Sequence, residues 1–191
     1  MTSKINDQIK KRTVANDVFI TPRDLALKQI NLHDIKEEHV VLDPCCHSHI
    51  NGSYFSQFPD CYREFCEVSN GYDKSFFDYH GRTDHIICNP PYSILDKWFK
   101  KCIEIRPTEI SMLIGINNLT ARRMKWMEEA GYGLSHMEML KVFEWFGMSV
   151  IVKWTLNTKS IVTCDRKVYR KEEPMGLHEE PKKKYTFKVK K

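Results

Sequence analysis

Five residues, Asp84-His85-Ile86-Ile87-Cys88, form a short apolar run that leads straight into Asn89-Pro90-Pro91-Tyr92. A strand apolar on both faces belongs in a sheet covered on both sides, which is the situation of a parallel α/β sheet. The two prolines end it. Each lacks an N–H and fixes its own φ, and Pro91 drives Pro90 out of the helical region. The chain is thereby delivered to the carboxyl edge of the sheet, where α/β folds bind ligands, with its carbonyls available as acceptors.

The remaining sequence alternates strand-like with helix-like segments. Strands are expected at residues 39–43 and 62–67, each ending in an acid (Asp43, Glu67), and at 75–79, 84–88 and 110–116. Residues 133–142 and 148–156 make a closing antiparallel pair joined through 143–147, and 161–164 is one further candidate. Thr21 is placed as the N-cap of a helix over 23–31, with Pro22 in its first position. Ile94, Leu95, Trp98, Phe99, Cys102 and Ile105 recur at helical spacing within 93–106, which Pro107 stops. A third helix is expected at 120–130, closed by Gly131. The inventory is an α/β fold, a seven-stranded and mostly parallel sheet with helices on both faces and a final antiparallel hairpin. It occupies residues 17–165, between a basic arm at 1–16 and a charged tail at 166–191.

At 191 residues the chain is long enough for one full core. No apolar run approaches the ~20 residues that cross a bilayer, and residues 1–12 are polar and basic rather than a signal peptide. A cytoplasmic protein is expected, with a nuclear or viral host compartment left open. The seven cysteines lack a Cys-x-x-Cys pair and read as reduced thiols. A net charge of +5 permits a polyanionic partner without demanding one. The lysines at both ends read either as arms on a phosphate backbone or as solvated termini.

The Asn-Pro-Pro-Tyr segment suits one kind of chemistry. An aromatic amino group is a weak nucleophile because its lone pair is delocalised into the ring. Acceptors on its two hydrogens localise that lone pair and stabilise the charge that develops during attack, an electrostatic effect that needs no strong base. The Asn89 side-chain oxygen and the Pro90 carbonyl are suited to this, and Tyr92 offers a flat face on which an extruded base stacks.

These residues resemble a known family. Asn89-Pro90-Pro91-Tyr92 resembles motif IV of the amino-methyltransferases that act on adenine or cytosine. Phe19-Ile20-Thr21-Pro22 resembles the Phe-x-Thr-Pro signature of the adenine-specific members, and Val41-Leu42-Asp43-Pro44-Cys45 resembles the start of their cofactor motif. Glu67 falls where the family has its ribose-binding acid. The motif order is that of the gamma group, and the resemblance spans residues 19–156. It implies a Rossmann-like S-adenosylmethionine-dependent methyltransferase fold, with S-adenosylmethionine as cofactor and the exocyclic amino group of adenine in DNA as substrate, RNA being the rival. It further implies Thr21, Pro22, Asp43, Pro44, Cys45, Glu67, Phe77, Asp78 and Asn89 around the cofactor. Asn89, Pro90, Pro91 and Tyr92 would surround the reacting amine. Members that read a specific sequence carry a recognition domain. Its lack here implies a relaxed target, a partner subunit or an RNA substrate.

The cofactor loop departs from the family. It reads Asp43-Pro44-Cys45-Cys46-His47-Ser48-His49-Ile50-Asn51-Gly52, with His47 and His49 where the family has glycines that allow close backbone approach. Either Asn51-Gly52 supplies the turn and the cofactor still binds, or the fold holds nucleic acid or a partner protein without turnover. A third reading makes Cys45, Cys46, His47 and His49 metal ligands, but they lack the spacers that wrap a tetrahedral ion, and no metal is expected. Near the third strand, Ser75 stands where the family has an acid, leaving Asp73 or Asp78 for the cofactor's adenine with Phe76 and Phe77 beside it. Trp98 and Phe99 read as core. The Phe143, Trp145, Phe146 cluster reads equally as a base clamp or a packed turn. Arg122, Arg123 and Lys125 form a basic helix face, solvated or set on phosphates. His33, His39, His85 and His136 show no ligand spacing.

Overall fold

The computed structural model describes residues 19–47, 54–69, 71–142, 145 and 147–164. The expected arm at 1–16, the tail at 166–191, and His49, Asn51, Gly52, Phe143 and Phe146 lie outside the described residues.

Six strands form one sheet: β1 (Val40–Asp43), β2 (Tyr62–Phe65), β3 (His85–Cys88), β4 (Glu109–Gly115), β5 (Tyr132–Leu140) and β6 (Ser149–Leu156). Their order is β2-β1-β3-β4-β6-β5. The first four run parallel, while β6 pairs antiparallel with both β4 and β5. Among the described residues three α-helices accompany it: α1 (Arg23–Ile30), α2 (Leu95–Ile105) and α3 (Ala121–Glu129).

Alternation along the buried strands sorts side chains to two cores. Val41 and Ile87 face α1, packing with Ala26, Ile30, Tyr54 and Phe58. Leu42, Ile86 and Cys88 point the other way, onto Leu95, Trp98, Phe99 and Cys102 of α2 and Met124 and Met127 of α3. Helix α2 ends at Arg106, whose left-handed φ of 60 lets its N–H reach the Cys102 carbonyl just before Pro107. The Thr120 hydroxyl caps α3 by accepting the Arg123 N–H, and Gly131, at φ 90, closes it.

Three expectations are corrected. Residues 75–79 are not a strand: the Ser75 hydroxyl accepts the Phe77 N–H and winds Phe76–Asp78 into a 3-10 turn. A strand would have put Phe76 and Phe77 on opposite faces, whereas both rings approach Trp98, at 4.5 and 5.9 Å. Only a single bridge, Glu67 to Lys74, remains of sheet pairing there. Residues 161–164 form no strand either, although the Ile161 N–H bonds the Leu134 carbonyl. The sheet therefore has six strands, not seven, among the described residues. Finally, Pro22 rather than Thr21 is the N-cap of α1, because the Thr21 hydroxyl is turned toward Asn89. All seven cysteines are free thiols. Among the described residues no helix is long and apolar enough to cross a membrane.

Candidate functional site

The carboxyl ends of β1, β3 and β4 and the segment leading into α1 meet at one edge of the sheet. Its centre is Asn89, immediately after β3. The Asn89 Nδ2 donates to the Phe19 carbonyl at 3.1 Å and to the Thr21 hydroxyl at 3.2 Å. A carbonyl only accepts, so the amide nitrogen must face Phe19, and the orientation of the group is settled by its partner. The oxygen Oδ1 faces away from Phe19, and no donor reaches it among the described residues. The Phe19 to Pro22 and Asn89 to Tyr92 segments are thus in physical contact, across 68 to 70 positions of sequence.

Pro90 is buried, and Pro91 is extended and leads into a 3-10 turn at Tyr92–Ile94. The Tyr92 ring lies against Gly115 at the end of β4, where a Cβ would meet it at 3.8 Å. Burial pushes its hydroxyl up to about 12, so it stays neutral. Phe19 stacks on Tyr92 at 6.3 Å with 27° between planes, and Trp145 meets Phe19 edge-on at 5.5 Å. Trp145 thereby joins an aromatic wall beside Asn89 rather than an isolated turn.

The loop proposed to hold the cofactor leaves β1 at Asp43, which is 1% exposed. Its carboxylate accepts the N–H groups of Cys45 and Phe55, each at 3.3 Å, and so ties both ends of the loop together. Burial nevertheless pushes this acid up to about 7. Pro44 is buried in the same turn. The Cys45 thiol donates to the Asn89 carbonyl at 3.3 Å, joining the loop to the Asn-Pro-Pro-Tyr segment. Its pKa is raised well above the usual thiol value, by a hydrogen bond with Cys88 and by burial.

His47 adopts φ 57, the left-handed conformation that glycine takes easily, so the turn survives without the glycine. Its N–H donates to Glu67 Oε2 at 2.5 Å. Glu67 Oε1 accepts the N–H groups of Val68 and Ser69 and the Ser69 hydroxyl, at 2.9, 2.8 and 2.7 Å. Burial raises this carboxyl, but those bonds outweigh it and the net shift is downward. A carboxylate offers about four acceptor sites. Oε1 carries three of the four donors, whereas Oε2 accepts only the His47 N–H among the described residues and keeps an acceptor position for a ribose hydroxyl. Phe77 is 38% exposed, and Asp73 and Asp78 are both exposed, while Phe76 is core.

Two polar groupings escaped the sequence. Gln29, on the apolar side of α1, donates to the Cys88 carbonyl at 3.2 Å and to the Ser111 hydroxyl at 2.9 Å, and accepts from Tyr54 at 2.8 Å. It braces the floor under Asn89, and a polar residue at a core-facing helical position was its signal. The second gathers three of the histidines, which the sequence spacing does not relate. His33, His39 and His85 converge with Glu109 at the opposite edge of the sheet, and no spacing announces it because the fold alone brings them together. On α3, Arg122 and Arg123 are paired with Asp96 and Lys125 with Glu129, so that basic face is largely neutralised within the chain.

A doubly wound sheet with four parallel strands and a final antiparallel strand pair is the Rossmann-like methyltransferase fold. Solved structures bear this out. The 23S rRNA methyltransferase ErmE superposes with a TM-score of 0.54 at 10% identity, over 77% of this chain and 73% of that one. The METTL16 MTase domain superposes with a TM-score of 0.51 at 11% identity, over 72% and 84%. At such identities the likeness establishes the fold. No family model and no curated protein matches the sequence.

Proposed function

We propose that this chain is an S-adenosylmethionine-dependent methyltransferase that modifies the exocyclic amino group of adenine in nucleic acid, with DNA as the first substrate. The observation that carries the reading is the Asn89 amide, whose Nδ2 is held by Phe19 and Thr21 so that Oδ1 is presented outward. Beside a neutral tyrosine and an aromatic wall, that oxygen polarises an amine without deprotonating it.

The residues at the edge fit the cofactor. His47 makes the left-handed turn that a glycine loop needs, Asp43 gathers the loop, and Glu67 stands just after β2, ionised and with Oε2 able to accept a ribose hydroxyl. S-adenosylmethionine, when bound, supplies the electrophilic methyl group. The chain does the rest: Asn89 Oδ1 and the Pro90 carbonyl accept the amine's hydrogens, and Tyr92 stacks on the base, a contact worth roughly 1–3 kcal/mol.

Structured RNA is the second reading, favoured by the similarity in fold to a 23S rRNA methyltransferase. Tritium-labelled cofactor supplied with duplex DNA, single-stranded DNA or folded RNA, followed by digestion to nucleosides, distinguishes them. Label on N6-methyladenine from DNA supports the first reading, and label from RNA alone supports the second. No cofactor heat in calorimetry at millimolar S-adenosylmethionine would sink the enzyme reading and leave a binding module.

A further inference from the structure

We propose that His33, His85 and Glu109 form a binding site for a divalent transition-metal ion of the zinc class, at the sheet edge opposite Asn89. Three ligand atoms meet there. Glu109 Oε2 lies 2.9 Å from His33 Nδ1 and 3.3 Å from His85 Nδ1, and the two Nδ1 atoms are 3.2 Å apart. Ligands about 2.0–2.2 Å from one ion are separated by about 3.3–3.5 Å when tetrahedral and about 2.9 Å when at right angles. The three separations span that range.

Proton accounting points the same way. The Lys36 backbone N–H, which only donates, bonds His39 Nδ1 at 3.2 Å, so His39 Nδ1 is an acceptor. His85 Nε2 lies 2.9 Å from that same atom and must carry the hydrogen. A neutral imidazole has one N–H, so His85 Nδ1 presents a lone pair, and it presents it to a carboxylate oxygen and another imidazole nitrogen. A proton on His33 Nδ1, or a cation held among the three atoms, offsets the repulsion between lone pairs at about 3 Å. Glu109 Oε2 is also buried without a hydrogen bond of acceptable geometry among the described residues, despite two nitrogens in reach.

The surroundings have the form of an outer ligand shell. A ligating histidine commonly donates its other N–H to an acceptor that fixes its tautomer, and His39 is that acceptor for His85. Glu109 Oε1 is held separately, by Lys153 at 2.9 Å and Thr155 at 3.3 Å, which orients the carboxylate and leaves Oε2 for the ion. The ammonium charge of Lys153 opposes a nearby cation, so the site is weaker than the same three ligands would be alone. His33 follows α1, His85 opens β3 and Glu109 opens β4. A bound ion would therefore fasten the end of α1 to the sheet, the helix whose other end brings Thr21 to Asn89.

The test uses the full chain, stripped with chelator and dialysed, then titrated with Zn2+ alone and separately with Co2+ alone. One equivalent bound per chain, a higher melting temperature, and Co2+ d–d absorption without a near-ultraviolet thiolate band are expected. Glu109→Gln and His33→Asn should lose the equivalent and the spectrum, while Asn89→Ala keeps both. No stoichiometric binding by the wild-type chain would overturn the site, whatever the variants do. A thiolate band, which would mean that the cysteines hold the ion, or full binding by Glu109→Gln would overturn it equally.

Discussion

A carbonyl can only accept, and Phe19 presents one to the Asn89 amide at 3.1 Å, with the Thr21 hydroxyl beside it at 3.2 Å. Replacing Thr21 by valine keeps the shape and removes one of the two anchors. A net hydrogen bond is worth about 0.5–1.5 kcal/mol, so single-turnover methyl transfer by Thr21→Val is expected to slow by up to about tenfold. His47 is the second residue with a measurable consequence. A non-glycine residue in the left-handed region costs about 1–2 kcal/mol, and its imidazole stands where a glycine loop would have no side chain. His47→Gly is expected to tighten S-adenosylmethionine binding in calorimetry, and an unchanged affinity would mean that the imidazole leaves the pocket clear. Asp43 gives a pH signature. Its folded value of about 7 lies above the ordinary 3.8. Between those values the folded chain keeps a proton that the unfolded chain has released, so its contribution to stability falls as pH rises through the window. Denaturant unfolding from pH 4 to 7 should show that decline in the wild type and a flatter profile in Asp43→Asn.

At the scale of elements, the strands were readable where both faces are apolar, as in β3 and β4, and where proline or glycine punctuates the chain, as at Pro107 and Gly131. Phe76-Phe77 was misread because two adjacent aromatics look like a strand, while Ser75 can turn the backbone locally and bring both rings to Trp98. The antiparallel pair β5–β6 has a feature that no pattern announces. At Gly133 a Cβ would stand 2.0 Å from the Thr158 carbonyl oxygen and 2.6 Å from the Lys159 carbonyl carbon, both backbone atoms. Gly133→Ala must push residues 158–160 off the strand. A loss of about 1–3 kcal/mol in chemical denaturation is expected, in the range of overpacked interiors.

Across the whole molecule, the edge proposed as catalytic could be assembled from the sequence because its parts are short local motifs: Phe19 to Pro22, Asp43 to Cys45, and Asn89 to Tyr92. The opposite edge was not, because His33, His85 and Glu109 are far apart in sequence and only the parallel register of β3 and β4 aligns them. The bonds of the Glu67 carboxylate to His47, Val68 and Ser69 were equally hidden, since hydrogen-bond occupancy has no sequence pattern. Helix α1 links the two edges, with Thr21 just before its start and His33 just after its end. The central claim remains that Asn89 Oδ1 is oriented to activate an amino group. Its most direct test is single-turnover methyl transfer from labelled S-adenosylmethionine to an adenine-containing oligonucleotide, wild type against Asn89→Ala, with cofactor affinity measured in parallel. Loss of one oriented acceptor should slow transfer by about 10²–10³-fold while the cofactor still binds. Equal rates in the two proteins would contradict the account.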